Sequence, residues 1–341
     1  MKATKYILIL TGFLGLGACS ADENNDRPAV TDDAVEFTIS MEQGTTRAFS
    51  TLDNYWTMND EMAVCEGTYI YQYKAETTST SSGGRVRLTP SYAAYTYFWS
   101  PEVLSRTFSA WYPYSASKPS TVAGVTDQRS DHLGTAANRG TMTDSVYNQL
   151  DLLYAPNVTV GFKESVNLDF YHQMCRIIVT VNSTGTKGAK PVTSITFGKN
   201  NVAAGGTLIP GYTGTTGTGA ASWEISQTTS VQMRLNNIIA VDDPTTIRQY
   251  TYECIVPPQS LAGTAVLFQI TTTDKNNETK TTEYIPNNLY QDAPDFQAGY
   301  QYNFMLTLSR QGTVNISTCQ VIDWTTSNVS DLTATVPDAG Y

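Results

Sequence analysis

Between Tyr300 and Leu308 every second side chain is large and apolar. Tyr300, Tyr302, Phe304, Leu306 and Leu308 share one parity, and Gln301, Asn303, Met305 and Thr307 the other. A period of two is that of a β-strand with one face buried and one wet, and a helix with its 3.6-residue repeat cannot produce it. The alternation returns along the chain in Val35, Phe37 and Ile39, in Tyr69, Tyr71 and Tyr73, and in Phe108, Ala110, Tyr112 and Tyr114. It also returns in Val314, Ile316, Ile322 and Trp324. No segment longer than about fifteen residues sustains a helical repeat. Only 15% of residues are charged, and Gly, Thr, Ser and Tyr are abundant. The chain is expected to be all-β.

At 341 residues the chain is long enough for two cores of ordinary size. Residues 116–142 are polar and irregular and read as a long surface loop, after which Asp151–Ala155 restores a short apolar strand. Pro113 cannot donate to a ladder and is expected at an edge or strand end. The pattern restarts near Gly161, and the longest strand signal runs from Val166 to Val181. Within it Leu168, Phe170 and Met174 share one parity, while Cys175, Ile177, Val179 and Val181 share the other. A β-bulge near Met174 would produce that change of phase. The boundary between two β-sandwiches is therefore expected just before this run, at 35–162 and 163–341.

The first residues do not belong to the fold. Lys2 and Lys5 precede an apolar run from Tyr6 to Leu16, too short for a stable membrane span and of the right length for a secretory signal. Leu16, Gly17, Ala18 and Cys19 resemble a bacterial lipobox, in which small residues admit the peptidase and the cysteine thiol is acylated. Residues 1–18 read as a lipoprotein signal peptide with Cys19 as the mature, lipidated N-terminus. Residues 19–34, rich in Asp, Asn and Pro, read as a flexible tether. The strand that begins at Val35 ends in Thr45, Thr46, Arg47, and the Arg47–Ala48 bond follows it.

Catalytic chemistry has little to stand on. The two histidines are far apart in sequence, and the common metal, nucleotide and serine-hydrolase signatures are missing. An enzyme, a cofactor or a metal site is not expected. His172 reads as a packed, hydrogen-bonded structural residue. Cys65, Cys175, Cys254 and Cys319 are expected as free, buried thiols. A formal charge of −10 disfavours nucleic acid as a partner.

Several stretches taken together resemble the fimbrillin family, the lipoprotein-derived subunits of type V pili on Gram-negative anaerobes. They are the lipobox at Cys19, the strand closing in Thr46, Arg47, Ala48, and the segments Trp56–Val64, Phe108–Ser115 and Asp151–Ala155. Val166–Val181 with Phe170 and His172 follows, then Gly299–Leu308, then Ile322, Asp323, Trp324. The resemblance implies two tandem transthyretin-like β-sandwiches, a surface-exposed lipoprotein of the outer membrane, and proteolytic maturation between Arg47 and Ala48. It further implies polymerisation by strand donation with other fimbrial subunits and a role in adhesion. Removing 35–47 would leave a groove, and the candidate donor is 328–336, where Leu332, Ala334 and Val336 alternate with polar residues. A tip or accessory subunit that does not elongate is the neighbouring reading. The other class is a lipid-anchored surface protein that binds a host receptor or glycan through exposed aromatics such as Trp99, Trp111 or Trp223.

Overall fold

A computed structural model of the chain describes residues 33–41, 55–81, 83–117, 125–133, 139–183, 192–209, 222–239, 248–262, 265–273, 278–285, 295–308 and 314–323. They are almost entirely β, as the alternation requires. The first seven strands are β1 Phe37–Met41, β2 Glu61–Glu66, β3 Tyr69–Ala75, β4 Val86–Pro90, β5 Ser105–Tyr112, β6 Leu153–Gly161 and β7 Val166–His172. Their pairing closes into a ring in the order β1, β4, β3, β2, β5, β6, β7. The alternating apolar residues point inward and fill it with Phe37, Ile39, Trp56, Met62, Tyr73, Phe108, Leu168 and Phe170, each 1% exposed or less. Pro113 follows β5 immediately, at a strand end where no ladder bond is asked of it.

The second group comprises β8 Cys175–Ser183, β9 Val192–Ile209, β10 Ser222–Gln232, β11 Arg234–Ile239, β12 Arg248–Val256 and β13 Gln259–Ser260. It continues with β14 Phe268–Thr273, β15 Thr279–Tyr284, β16 Asp295–Phe296, β17 Tyr300–Leu308 and β18 Val314–Asp323. They form a four-stranded sheet, β10-β9-β14-β15, and a five-stranded sheet, β11-β12-β8-β17-β18, while β13 and β16 pair on their own. Ile177, Val179, Phe197, Phe268 and Phe304 from the two sheets, with Phe296 from β16, belong to one buried cluster. β9 is the longest described strand, at 18 residues. Gly198 at φ 75° and Asn200 at φ 57° redirect it without ending it.

The phase change at Met174 has a different origin from the expected bulge. β7 completes the ring by pairing with β1 and β6, and β8 starts the second group, so the chain crosses from one to the other at Gln173 and Met174. The run Val166–His172 thus pairs with the strands before it, not with those after. Before β5 the chain makes a turn of 3-10 helix at Ala93–Tyr95, followed by a single bridge between Ala34 and Phe98.

The seam between the two groups is apolar. Trp111, Tyr147, Leu152, Tyr154, Met174, Leu208 and Ile255 share one cluster, and the Trp223 indole N–H donates to the Gln173 carbonyl at 3.0 Å. The expected surface loop contributes here. Gln128, 2% exposed, donates from its amide to the Ile255 carbonyl at 2.7 Å and accepts from the Ile255 N–H at 2.9 Å, as a neighbouring strand would. A short helix, α1 Asp144–Asn148, is capped by the Thr143 hydroxyl, which accepts from Val146 N–H. Asp144 binds Arg234, whose guanidinium lies 4.6 Å over the Tyr147 ring.

Candidate functional site

Cys19, Arg47, Ala48, Leu332, Ala334 and Val336 all lie outside the described residues, as does the side chain of Cys319. What the structure does place is the strand that precedes Arg47. β1 is the stave that closes the barrel, and it is held unequally on its two sides. It runs parallel to β7 through five register pairs, from Phe37 opposite Val166 to Met41 opposite Phe170. Against β4 it is antiparallel and makes two, Thr38 with Arg87 and Ile39 with Val86. Just upstream, the Val35 N–H donates to the Tyr97 carbonyl at 2.8 Å and the Trp99 N–H to Asp33 at 2.7 Å.

Alternation sends Val35, Phe37, Ile39 and Met41 inward, all buried. Phe37 sits edge-on to Tyr73, Tyr97 and Phe108, with ring centroids 5.1, 6.0 and 5.0 Å away. Two of those walls are fixed by their own hydroxyls. Tyr97 Oη donates toward the Tyr69 and Val64 carbonyls at 2.9 and 3.1 Å, and Tyr73 Oη toward Tyr95 at 3.1 Å. Burial pushes both phenols well above their usual range, so they stay neutral donors at any physiological pH. Met41 lies opposite Phe170, whose ring meets Trp56 at 5.0 Å. The outward face is polar: Thr38 binds Asn167, Ser40 binds Asp169, and Glu36 pairs with Arg87 at 2.8 Å.

This arrangement has the chemistry of strand recognition. Two flanking strands offer ladder groups, and between them lies an apolar slot with one deep aromatic pocket. Among the described residues no group of His, Cys, Asp or Glu is placed to hold a metal. His172 is buried and paired with Asp151 at 2.8 Å, the structural role expected of it. Cys65, Cys175 and Cys254 are buried; Cys175 and Cys254 are free thiols, and the Cys65 thiol donates to the Gly67 carbonyl at 3.5 Å. Trp99 and Trp111, considered above as exposed glycan-stacking residues, are 6% and 2% exposed and belong to the packed interior, and Trp223 is half-buried against the seam. Buried rings cannot meet a glycan. The pocket around Phe37 had no signature in sequence order, since its walls come from β3, β5 and the turn before Trp99.

A family model described as fimbrillin-like matches residues 46–324. The chain belongs to the fimbrillin-like family. The matched span begins after β1 and ends before the alternating stretch 328–336. No curated protein matches this fimbrillin-like chain. Among solved structures, a candidate cell adhesion protein from Bacteroides uniformis superposes with a TM-score of 0.54 at 19% identity, over 86% of this chain and 97% of that one. One from Bacteroides ovatus gives 0.53 at 19% identity, over 85% and 97%. At such identities the likeness is one of fold.

Proposed function

We propose that the protein is a structural subunit of a surface fimbria, exported as an outer-membrane lipoprotein through Cys19 and matured by cleavage between Arg47 and Ala48. It is built as two domains, a barrel ending at His172 and a sandwich starting at Cys175. Assembly with other fimbrial subunits proceeds by strand exchange, the β1 slot accepting a strand and 328–336 being offered as one. The observation that carries this reading is the position of β1: it is the stave that closes the barrel, and Arg47 follows it by a few residues.

Until the bond is cut, the covalent link holds β1 at high effective concentration beside its own slot, and self-complementation wins. After cleavage only contacts hold it. Four buried apolar side chains contribute roughly 6 to 12 kcal/mol before the cost of ordering the strand. An incoming strand with comparable side chains can match that. Each subunit that accepts a strand still offers its own, so the contact is head to tail and does not close on itself, as a fibre requires.

The test uses producing cells. In the wild type, immunogold label should follow fibres and a palmitate analogue should mark the precursor. Arg47→Ala should leave an uncut, folded lipoprotein on the surface with no fibre label, and Cys19→Ala should lose the lipid label and the surface location. Fibre incorporation of Arg47→Ala at the wild-type level would overturn the reading.

A further inference from the structure

The slot that β1 fills and the stretch 328–336 differ in size. The slot has four inward positions, occupied by Val35, Phe37, Ile39 and Met41, and the two central ones are the deepest, Phe37 at 0% and Ile39 at 1% exposed. The stretch offers three alternating apolar side chains, Leu332, Ala334 and Val336. If all three enter, they occupy three successive inward positions, either 35, 37 and 39 or 37, 39 and 41. The middle residue then falls at 37 or 39 in both registers, whether the strand runs with β7 or against it. Ala334 is that middle residue. It would face either the three-ring pocket of Tyr73, Tyr97 and Phe108 or the deep position of Ile39 beside Val86 and Leu168. The fourth position would receive Ser330 or Asp338, a polar group in an apolar slot.

With Ala334 in the place of Ile39, Thr333 and Thr335 supply the same hydroxyls that Thr38 and Ser40 present to Asn167 and Asp169; with Ala334 in the place of Phe37, Pro337 or Asp331 would face Asp169 instead. The outward face thus favours neither register of the stretch over β1, and the inward side chains decide between them. The pocket cannot shrink around an alanine, because Tyr73 and Tyr97 are pinned by hydrogen bonds to backbone carbonyls.

We infer that the β1 slot selects an extended strand from a different subunit, one with an aromatic side chain at the position of Phe37 and bulky aliphatic side chains at alternate positions beside it. It rejects the 328–336 stretch of a second copy of this chain. The inference rests on the proposed opening of the slot after Arg47. The protein is then one component of a heteropolymer.

The experiment uses the full chain cut at Arg47 by limited trypsin and challenged with three fluorescent peptides. These are the β1 sequence Val35–Met41, the sequence Asn328–Asp338, and the latter carrying Ala334→Phe. The β1 peptide should enter the slot. The native 328–338 peptide should bind on the order of 100-fold more weakly, as a large-to-alanine truncation in a rigid core implies, and Ala334→Phe should recover most of the loss. The cut protein alone should stay monomeric in electron micrographs. Equal binding of the native 328–338 and β1 peptides, no gain from Ala334→Phe, or fibres from the cut protein alone would each overturn the inference while leaving strand exchange intact. Failure of every peptide, β1's own included, would overturn the slot itself and the proposed function with it.

Discussion

Truncating Phe37 to alanine probes the slot in the uncut chain, where no partner is needed. The residue is fully buried among three rings, and a buried aromatic reduced to alanine costs about 3 to 5 kcal/mol, more where the walls cannot collapse. Here the walls are tied by the Tyr73 and Tyr97 hydroxyls to the backbone, so the upper part of that range is expected. Phe37→Leu keeps most of the volume and should cost about 1 kcal/mol. Thr38→Ala, on the wet face of the same strand, should cost at most about 0.5 kcal/mol. Urea denaturation followed by intrinsic fluorescence reads all three. A second readout follows cleavage: the dissociation constant of the fragment ending at Arg47 should rise by roughly 100-fold or more in Phe37→Ala, the same free energy expressed as binding. A loss below about 1 kcal/mol in Phe37→Ala would show that the pocket does not hold β1, and the size argument for the slot would fall.

Glu253 is 2% exposed on its side chain and binds Arg176, itself 1% exposed, with Arg234 3.8 Å away. Glu253→Gln takes the carboxylate from the buried Arg176 guanidinium, while Arg234 keeps Asp144, and should destabilise by about 3 to 5 kcal/mol in thermal or chemical unfolding. Alkaline pH should unfold the protein in a cooperative step. Burial raises the phenols of Tyr73, Tyr97, Tyr112, Tyr252 and Tyr302 and the thiols of Cys175 and Cys254. The folded state thus keeps protons that the unfolded state releases from about pH 9 for Cys and about pH 10 for Tyr. The stability these groups contribute is complete below pH 9 and falls by about 1.4 kcal/mol per pH unit for each group beyond its unfolded value. Tyrosinate absorbance at high pH should rise together with loss of the β circular dichroism signal, and ionisation of these phenols near pH 10 in a folded chain would refute the assignment.

The strands were legible wherever one face is buried and the other wet, because burial then writes a period of two into the sequence. Tyr300–Leu308 is the clearest case, and β17 has those bounds. β15, Thr279–Tyr284, escaped notice because only Tyr284 is buried in it and five exposed or half-exposed polar residues carry no alternation. The phase change at Met174 was visible, but sequence could not say whether a chain that changes parity bulges within one sheet or leaves for another. Polarity misled at Gln128, where an amide that pairs with the β12 backbone looks in sequence like any surface glutamine. The same limit applied to the tryptophans. Nothing in the composition around Trp99 or Trp111 distinguishes a ring on the surface from one that lines an interior. At the candidate site the inward set Val35, Phe37 and Ile39 was readable. Its pocket was not, since Tyr73, Tyr97 and Phe108 meet only after the ring has closed.

β1 has a further consequence that concerns the order of folding. Thr38 finds its neighbour Asn167 across 129 residues of chain, whereas β2 and β3, or β5 and β6, pair as antiparallel neighbours in chain order. Loop-closure entropy and contact order both place such a long-range, parallel pairing late. The first described strand to be synthesised is thus expected to be the last to find its place, closing a barrel that lacks only one stave. The proposed insertion of a strand from outside would be the same closing step, completed by another chain.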